Sequence, residues 1–202
     1  MITTDINQLR EKCTLVSSVE EGEEIGIQLL KELTKSDNGV GLAANQIGIN
    51  KRVCVINVKE PIVLINPKII ETSKEKFVCP EGCLSFPKDK PILTERYTSV
   101  IVTADNYDSK LSFSSESGIM NDAFECACVQ HEIDHLDGII HEDRKHMVIP
   151  YTAPEKIGRN EKVTITNGKE TRTMKYKKAE LLLNKDWNFS DIQIPDLEGL
   201  HD

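Results

Sequence analysis

Apolar positions along the chain fall into short runs with readable spacing. Ile25, Leu29 and Leu33 recur every four residues, with Leu30 beside them, among glutamates and lysines. That is the stripe of an amphipathic helix over residues 20–35. Lys35-Ser36-Asp37-Asn38-Gly39 then reads as a stop and turn. Residues 52–58 and 62–66 read as strands, separated by Pro61 and ended by Pro67. Residues 100–103 form another expected strand, leading through Asn106-Tyr107-Asp108-Ser109 to Leu111-Ser112-Phe113 as a hairpin. A second helix is expected from about 120 to 136. There Phe124, Ala127, His131 and His135 fall near one face, and Gly138 suits the position after the helix. Strands first and the long helix after them predict an α+β fold with antiparallel sheets, not alternating βαβ units.

The pattern changes near Pro150. Residues 151–202 carry 9 basic and 9 acidic residues, so the whole net charge of -8 falls in residues 1–150, with 16 basic and 24 acidic. We therefore expect a catalytic-sized domain at 1–150 and a C-terminal extension at 151–202. Within the extension, Val163-Thr164-Ile165-Thr166 and Thr171-Arg172-Thr173-Met174-Lys175-Tyr176 flank Asn167-Gly168, a strong hairpin signal. A short helical or irregular end should follow it.

With 202 residues and 39% apolar content, the chain has enough material for one domain with an appendage. Its acidity argues against non-specific wrapping of nucleic acid. The short basic run Lys175-Tyr176-Lys177-Lys178 reads as a solvated face, so no direct nucleic-acid binding is expected. No apolar run approaches the roughly 18 residues of a membrane span. The start, Met1-Ile2-Thr3-Thr4-Asp5, lacks the layout of a signal peptide, so a cytoplasmic protein without membrane association is expected. The six cysteines are then free thiols or metal ligands rather than disulfides. Cys13, Cys54, Cys126 and Cys128 read as small buried hydrophobes. His141, His146 and His201 read as solvated or satisfied locally.

The sharpest chemical signal is His131-Glu132-Ile133-Asp134-His135. On a helix, residues i and i+4 share a face, so two imidazoles reach one metal. Glu132, one residue along, reaches the open coordination position without being a ligand and suits a general base. A catalytic site needs a third ligand. His141, Glu142 and His146 are available but lie just past the helix end at Gly138, poorly placed for the downstream third ligand that a zincin endopeptidase needs. Cys83 lies in the Pro-flanked turn Cys79-Pro80-Glu81-Gly82-Cys83-Leu84-Ser85-Phe86-Pro87, where a metal would hold it as the thiolate. A structural zinc on Cys79 and Cys83 is a further alternative. The third unusual stretch, Gly39-Val40-Gly41-Leu42-Ala43-Ala44-Asn45-Gln46, reads alone as a glycine-rich helix-to-strand connection ending in a polar amide.

Together these stretches resemble the peptide deformylase family. Its motifs GxGxAAxQ, EGCLS and QHExDHLxG appear as residues 39–46, 81–85 and 130–138, all fixed positions present and in order. The resemblance covers about residues 20–144. It implies antiparallel sheets around a helix that carries the metal motif, here with a C-terminal hairpin extension. It implies hydrolysis of the N-formyl group of the initiator methionine of nascent polypeptides, releasing formate. Cys83, His131 and His135 would bind one divalent metal, usually Fe(II), with zinc, nickel or cobalt as substitutes. Glu132 would be the base, and the Gln46 amide and Leu84 backbone N–H the oxyanion donors. The peptide would add as a strand beside Val40, Gly41 and Leu42, with Gly82 also in contact. Cys79, Phe124, Ala127 and Cys128, with Val40, would wall the methionine pocket. The family often has an arginine shortly after EGCLS; the basic candidates here are Lys88, Lys90 and Arg96, the last about one position off the family's spacing, and Arg96 is expected to pair with Asp134. Members of the family often end in a basic helix used for ribosome docking. A charge-balanced hairpin here leaves ribosome association as a weaker expectation.

Overall fold

The computed structural model describes residues 1–36, 38–146, 157–183, 185 and 187–190. The chain divides into two units, Met1–His146 and Met147–Asp202. Pro150, near which the sequence suggests the boundary, and His201 lie outside the described residues.

The first unit begins with a short helix, α1 (Ile6–Leu9), followed by α2 (Val19–Leu33). α2 starts where the Ser18 side chain accepts from Glu21 N, capping an otherwise unpaired donor. Its stripe of Ile25, Leu29 and Leu33 is buried. Gly22 lies on the same packing surface, and a Cβ there would come within 2.5 Å of the Ile65 side chain. The helix therefore closes on a sheet made of β1 (Gly41–Ala43), β2 (Val53–Ile56) and β3 (Ile62–Ile65), ordered β1-β2-β3. β4 (Lys68–Thr72), β7 (Ser99–Thr103) and β8 (Leu111–Ser114) form a second sheet, ordered β4-β7-β8. β5 (Lys76–Glu81) and β6 (Ile92–Tyr97) pair as a two-stranded ribbon. Every pairing between these strands is antiparallel. The expected strands at 52–58, 62–66, 100–103 and 111–113 appear as β2, β3, β7 and β8, with β7 and β8 as hairpin partners.

The long helix is α3 (Met120–Leu136), buried from Glu125 onward. Cys126, Val129, Ile133 and Leu136 pack in one cluster with Ala43, Cys54, Leu64, Val100, Val102 and Phe113, drawn from both three-stranded sheets. Four strands of this unit escape the sequence pattern. β1 hides in the glycine-rich run. β4 is exposed at every position except Ile69, so it shows no inside-outside alternation, and it carries a bulge between Ile69 and Glu71. β5 contains Pro80, which marks it against a central-strand reading. β6 mixes Thr94, Glu95 and Arg96 into its length.

In the second unit, β9 (Lys162–Thr166) pairs antiparallel with β10 (Thr171–Lys175) across residues 167–170. The strand ends before Tyr176, which opens α4 (Tyr176–Leu183). β11 (Asn188–Phe189) pairs with β9, giving the order β10-β9-β11. Val163, Ile165, Ala179 and Trp187 form its small core, and the Arg172 guanidinium lies 4.9 Å from the Trp187 ring centre.

Candidate metal centre and catalytic cleft

Burying a sequence as polar as His131–His135 is tolerable only if its groups find partners. The β5–β6 ribbon supplies them. Glu81, at the end of β5, lies with Oε2 2.8 Å from His131 Nδ1. Arg96 on β6 donates to both Glu81 oxygens, at 2.6 and 2.8 Å, and to Asp134 at 2.5 Å. The expected Arg96–Asp134 pair is therefore present, and Arg144 adds two bonds to Asp134 at 2.9 and 2.7 Å. Burial opposes the Glu81 charge, but Arg96 and His131 outweigh it and hold the carboxyl well below its ordinary range. Asn45 donates to the His135 backbone carbonyl at 2.7 Å, tying the first motif to α3.

One turn past β5, Cys83 enters the same space. Its Sγ lies 3.3 Å from His135 Nε2. Ligand atoms of Cys83, His131 and His135 all lie within 4.8 Å of one another, the one such grouping of His, Cys, Asp or Glu among the described residues. The donor chemistry suits a divalent metal: a thiolate and two imidazoles, one held in orientation through its second nitrogen by a carboxylate. The surroundings also favour positive charge there. Burial works against a charged His131, yet the Cys83 sulfur and Glu81 carboxylate push its pKa up to about 10. His135 is driven the other way, by burial first and then by the His131 charge.

The alternative ligands fall elsewhere. His146 Nδ1 lies 2.7 Å from Glu95. Glu142 is exposed beside Lys145. The Cys79 thiol turns to Glu81 and Thr94. His141 corrects the expectation of a solvated side chain: it is 2% exposed, its ring centre 5.0 Å from that of Phe86 and 6.1 Å from that of His131. It remains outside the ligand group.

A cleft of about 360 Å³ opens on this cluster. Glu132 faces it from α3, 4% exposed, with Oε2 lacking a hydrogen-bond partner among the described residues. Burial pushes its carboxyl up to about 7, against the pull of His131 and with help from the Glu81 charge. Such a value suits proton transfer near neutral pH. Gly41 is what leaves room for it: a Cβ there would meet Cys128 Sγ at 2.7 Å and Glu132 Cδ at 2.9 Å. Gln46 sits in a single 3₁₀ turn, Ala44–Ile47, after β1. Its Oε1 accepts from Ala43 N at 2.8 Å, which aims Nε2 at Ser85 Oγ, 3.1 Å, and Cys83 Sγ, 3.5 Å. The Leu84 backbone N–H donates to no other described group.

Val40, Gly41, Gly82, Phe124, Ala127 and Cys128 line the cleft, as do Gln46, Leu84 and the two motif residues His131 and Glu132. Leu42 and Cys79 do not. Leu42 is fully buried in the core beneath α2, and in the antiparallel register it pairs with Val55. Asn57 N donates to Val40 O, so hydrogen-bonding pairs alternate at Val40 and Leu42, leaving the backbone groups of Gly41 on the open edge of β1. Cys79 is turned away by its bonds to Glu81 and Thr94. Phe86, Pro87 and Asp89 also line the cleft and were not anticipated. Their only signal is adjacency to Cys83. Glu81 was visible within its motif, but its partners lie 15 and 50 residues away.

The family model for polypeptide deformylase matches residues 1–148. Peptide deformylase 1 of Vibrio vulnificus is 37% identical over 160 residues, 77% of this chain and 87% of its own. The peptide deformylase of Desulforudis audaxviator is 40% identical over 139 residues, 67% and 86% of the two chains. Among solved structures, that of peptide deformylase from Thermotoga maritima aligns at 30% identity with a TM-score of 0.65, over 73% of this chain and 97% of that one. A peptide deformylase from Synechococcus elongatus, in complex with actinonin, aligns at 34% identity with a TM-score of 0.62, over 73% and 78%.

Proposed function

This chain belongs to the peptide deformylase family, metalloenzymes that remove N-formyl groups from nascent peptides, and from that premise we propose how its own residues carry the reaction. Cys83, His131 and His135 hold one divalent metal. The clustering of their three ligand atoms beside Glu132, whose Oε2 has no hydrogen-bond partner among the described residues, is the observation that carries this reading. Iron(II) is the native ion, with zinc, nickel or cobalt able to replace it, since a thiolate and two imidazoles serve each of them. When bound, such an ion lowers the pKa of water and polarises the formyl carbonyl.

Glu132 takes the proton from the attacking water and delivers it to the leaving amine. Its burial and the absence of a competing hydrogen bond keep it basic enough for the first step and acidic enough for the second. Gln46 Nε2 and the Leu84 N–H donate to the oxygen that becomes negative as the carbon turns tetrahedral. Ala43 N fixes the other amide atom of Gln46, which holds Nε2 on the side of Cys83 and Ser85 where that oxygen would sit. Formate and a free α-amino group result.

The peptide lies extended along the open edge of β1, with Gly41 providing the close approach and Val40 and Gly82 flanking it. Phe124, Ala127 and Cys128 enclose the methionine side chain. The metal-bearing helix at the centre of antiparallel sheets forms the catalytic domain, residues 1–150. Residues 151–202, with their hairpin, form an extension that is dispensable for hydrolysis and contributes to any ribosome association. No helix among the described residues is long and apolar enough to cross a membrane. Nascent chains as substrate support a cytoplasmic enzyme.

The test is anaerobic purification, metal loading and measurement of formate released from formyl-Met-Ala, beside Glu132→Ala. Formate release that the variant abolishes while binding the same amount of metal supports the assignment. Turnover near wild type in the variant removes Glu132 as the base.

A further inference from the structure

Given the reading of the cleft as a formyl-methionine site, we infer that Lys59 is a positioning residue: from outside the cleft, it holds the two walls of the methionine pocket at a fixed separation. The walls come from different elements. Val40 stands just before β1, and Phe124, Ala127 and Cys128 stand on α3. At the inner end the walls meet directly, since the Cys128 thiol donates to the Val40 carbonyl at 3.5 Å. At the outer end α3 runs past the core. It is buried from Glu125 onward, whereas Phe124 is 46% exposed and Met120 83%. Ile119 gives the helix no side-chain cap. A first turn with neither packing nor a cap frays unless something else holds it.

Lys59 supplies that hold. Its ammonium lies 2.7 Å from Asp122 Oδ1 and 2.7 Å from Glu125 Oε2, so it clasps residues on either side of Phe124 in sequence. Among the described residues, no other residue outside 117–125 forms a hydrogen bond or ion pair with the side chains of 120–124. Glu125 is 7% exposed, so its carboxylate needs this partner. Lys59 is itself anchored. It lies in the connection from β2 to β3, where Val58 and Ile62 pack against the main core and Pro61 restricts the backbone. In the same connection Asn57 N donates to the Val40 carbonyl at 2.7 Å. The connection therefore grips both walls, Val40 through Asn57 and α3 through Lys59. Releasing the outer wall costs a long side chain more than a short one. Methionine reaches Phe124 and alanine stops short of it, while the reacting carbonyl stays beside Gln46 and Glu132 in either case.

The experiment compares kcat and KM of the full chain for formyl-Met-Ala and formyl-Ala-Ala in wild type, Lys59→Met and Lys59→Arg. Lys59→Met should lower the kcat/KM preference for the methionine peptide about five-fold, the effect of leaving about 40 Å² of apolar surface in water. The change should fall on KM for formyl-Met-Ala, with its kcat and the alanine peptide unaffected. Lys59→Arg still donates to both carboxylates and should keep the preference. Lys59→Met strands a buried carboxylate, so Lys59→Met/Glu125→Gln is measured beside it and should show the same loss in a folded chain. An unchanged preference in the double variant overturns the inference. So does equal slowing of both peptides, which assigns Lys59 a role in stability alone. A fall in kcat with KM unchanged also overturns it, since it ties Lys59 to the reacting groups. If wild type releases no formate from formyl-Met-Ala, the formyl-methionine reading itself fails and takes this inference with it.

Discussion

Nδ1 of His131 lies 2.8 Å from Oε2 of Glu81, and Arg96 grips the same carboxylate at 2.6 and 2.8 Å. Glu81 thus fixes which imidazole nitrogen is left to face Cys83. A neutral amide in its place keeps the shape and loses the charge. Glu81→Gln should weaken metal affinity by about 10–100-fold. Competition with a chromogenic chelator measures this, and affinity within two-fold of wild type would contradict it.

Glu132 has a different role on the same helix. Glu132→Gln should reduce kcat by about 100- to 10,000-fold while metal stoichiometry stays the same. Formate assays beside elemental analysis separate the two quantities. Loss of metal along with activity would mean that the residue holds the site together.

Gln46 both accepts from Ala43 N and points a donor at the cleft. Gln46→Glu keeps the acceptor and removes the donor. We expect kcat to fall by about 100- to 1,000-fold with little change in KM, as loss of one oxyanion donor does. An effect confined to KM would place the amide in ground-state binding.

Thiol chemistry distinguishes Cys83 from its neighbours. Burial pushes Cys13, Cys79 and Cys126 up to about 11, and raises Cys54 and Cys128 well above their ordinary value. All five should resist alkylation in the native protein at pH 8. Iodoacetamide should label Cys83 after chelation and spare it in the metal-loaded protein, as peptide mass mapping would read. Equal labelling with and without metal would remove Cys83 from the ligand set.

Acid stability should depend on the start of α2. Glu21 accepts from Ser17 N at 2.9 Å and Ser17 Oγ at 2.8 Å and pairs with Lys51 at 3.1 Å, and these lower its pKa to about 2. The folded value lies below the unfolded one, so the contribution is present above about 4.5 and is lost as pH falls toward 2. Glu21→Gln should flatten this part of the stability curve between pH 5 and 2. Denaturant midpoints across that range test it, and parallel curves for the two proteins would sink the idea.

Local spacing alone carried much of this. Ile25, Leu29 and Leu33 define α2 because a helix repeats every 3.6 residues, and the apolar runs 53–56 and 62–65 announce buried strands. The candidate ligand pair His131 and His135 is legible for the same reason, since a four-residue step on a helix brings side chains together without help from the rest of the chain. What local spacing cannot express is a meeting of distant segments. Cys83 and His135 are 52 residues apart, and Glu81 and His131 are 50 apart. The folded ribbon of β5 and β6 is what brings Cys83, rather than His141, Glu142 or His146, within reach of His131 and His135 as a candidate ligand. The same holds for the cleft walls. Leu42 and Gly41 are neighbours in sequence, but strand alternation sends one toward the core and β2 and leaves the other at the open edge. Residue type and spacing determined the chemistry available to this chain. Long-range pairing, which depends on packing between elements far apart in sequence, decided which atoms perform it.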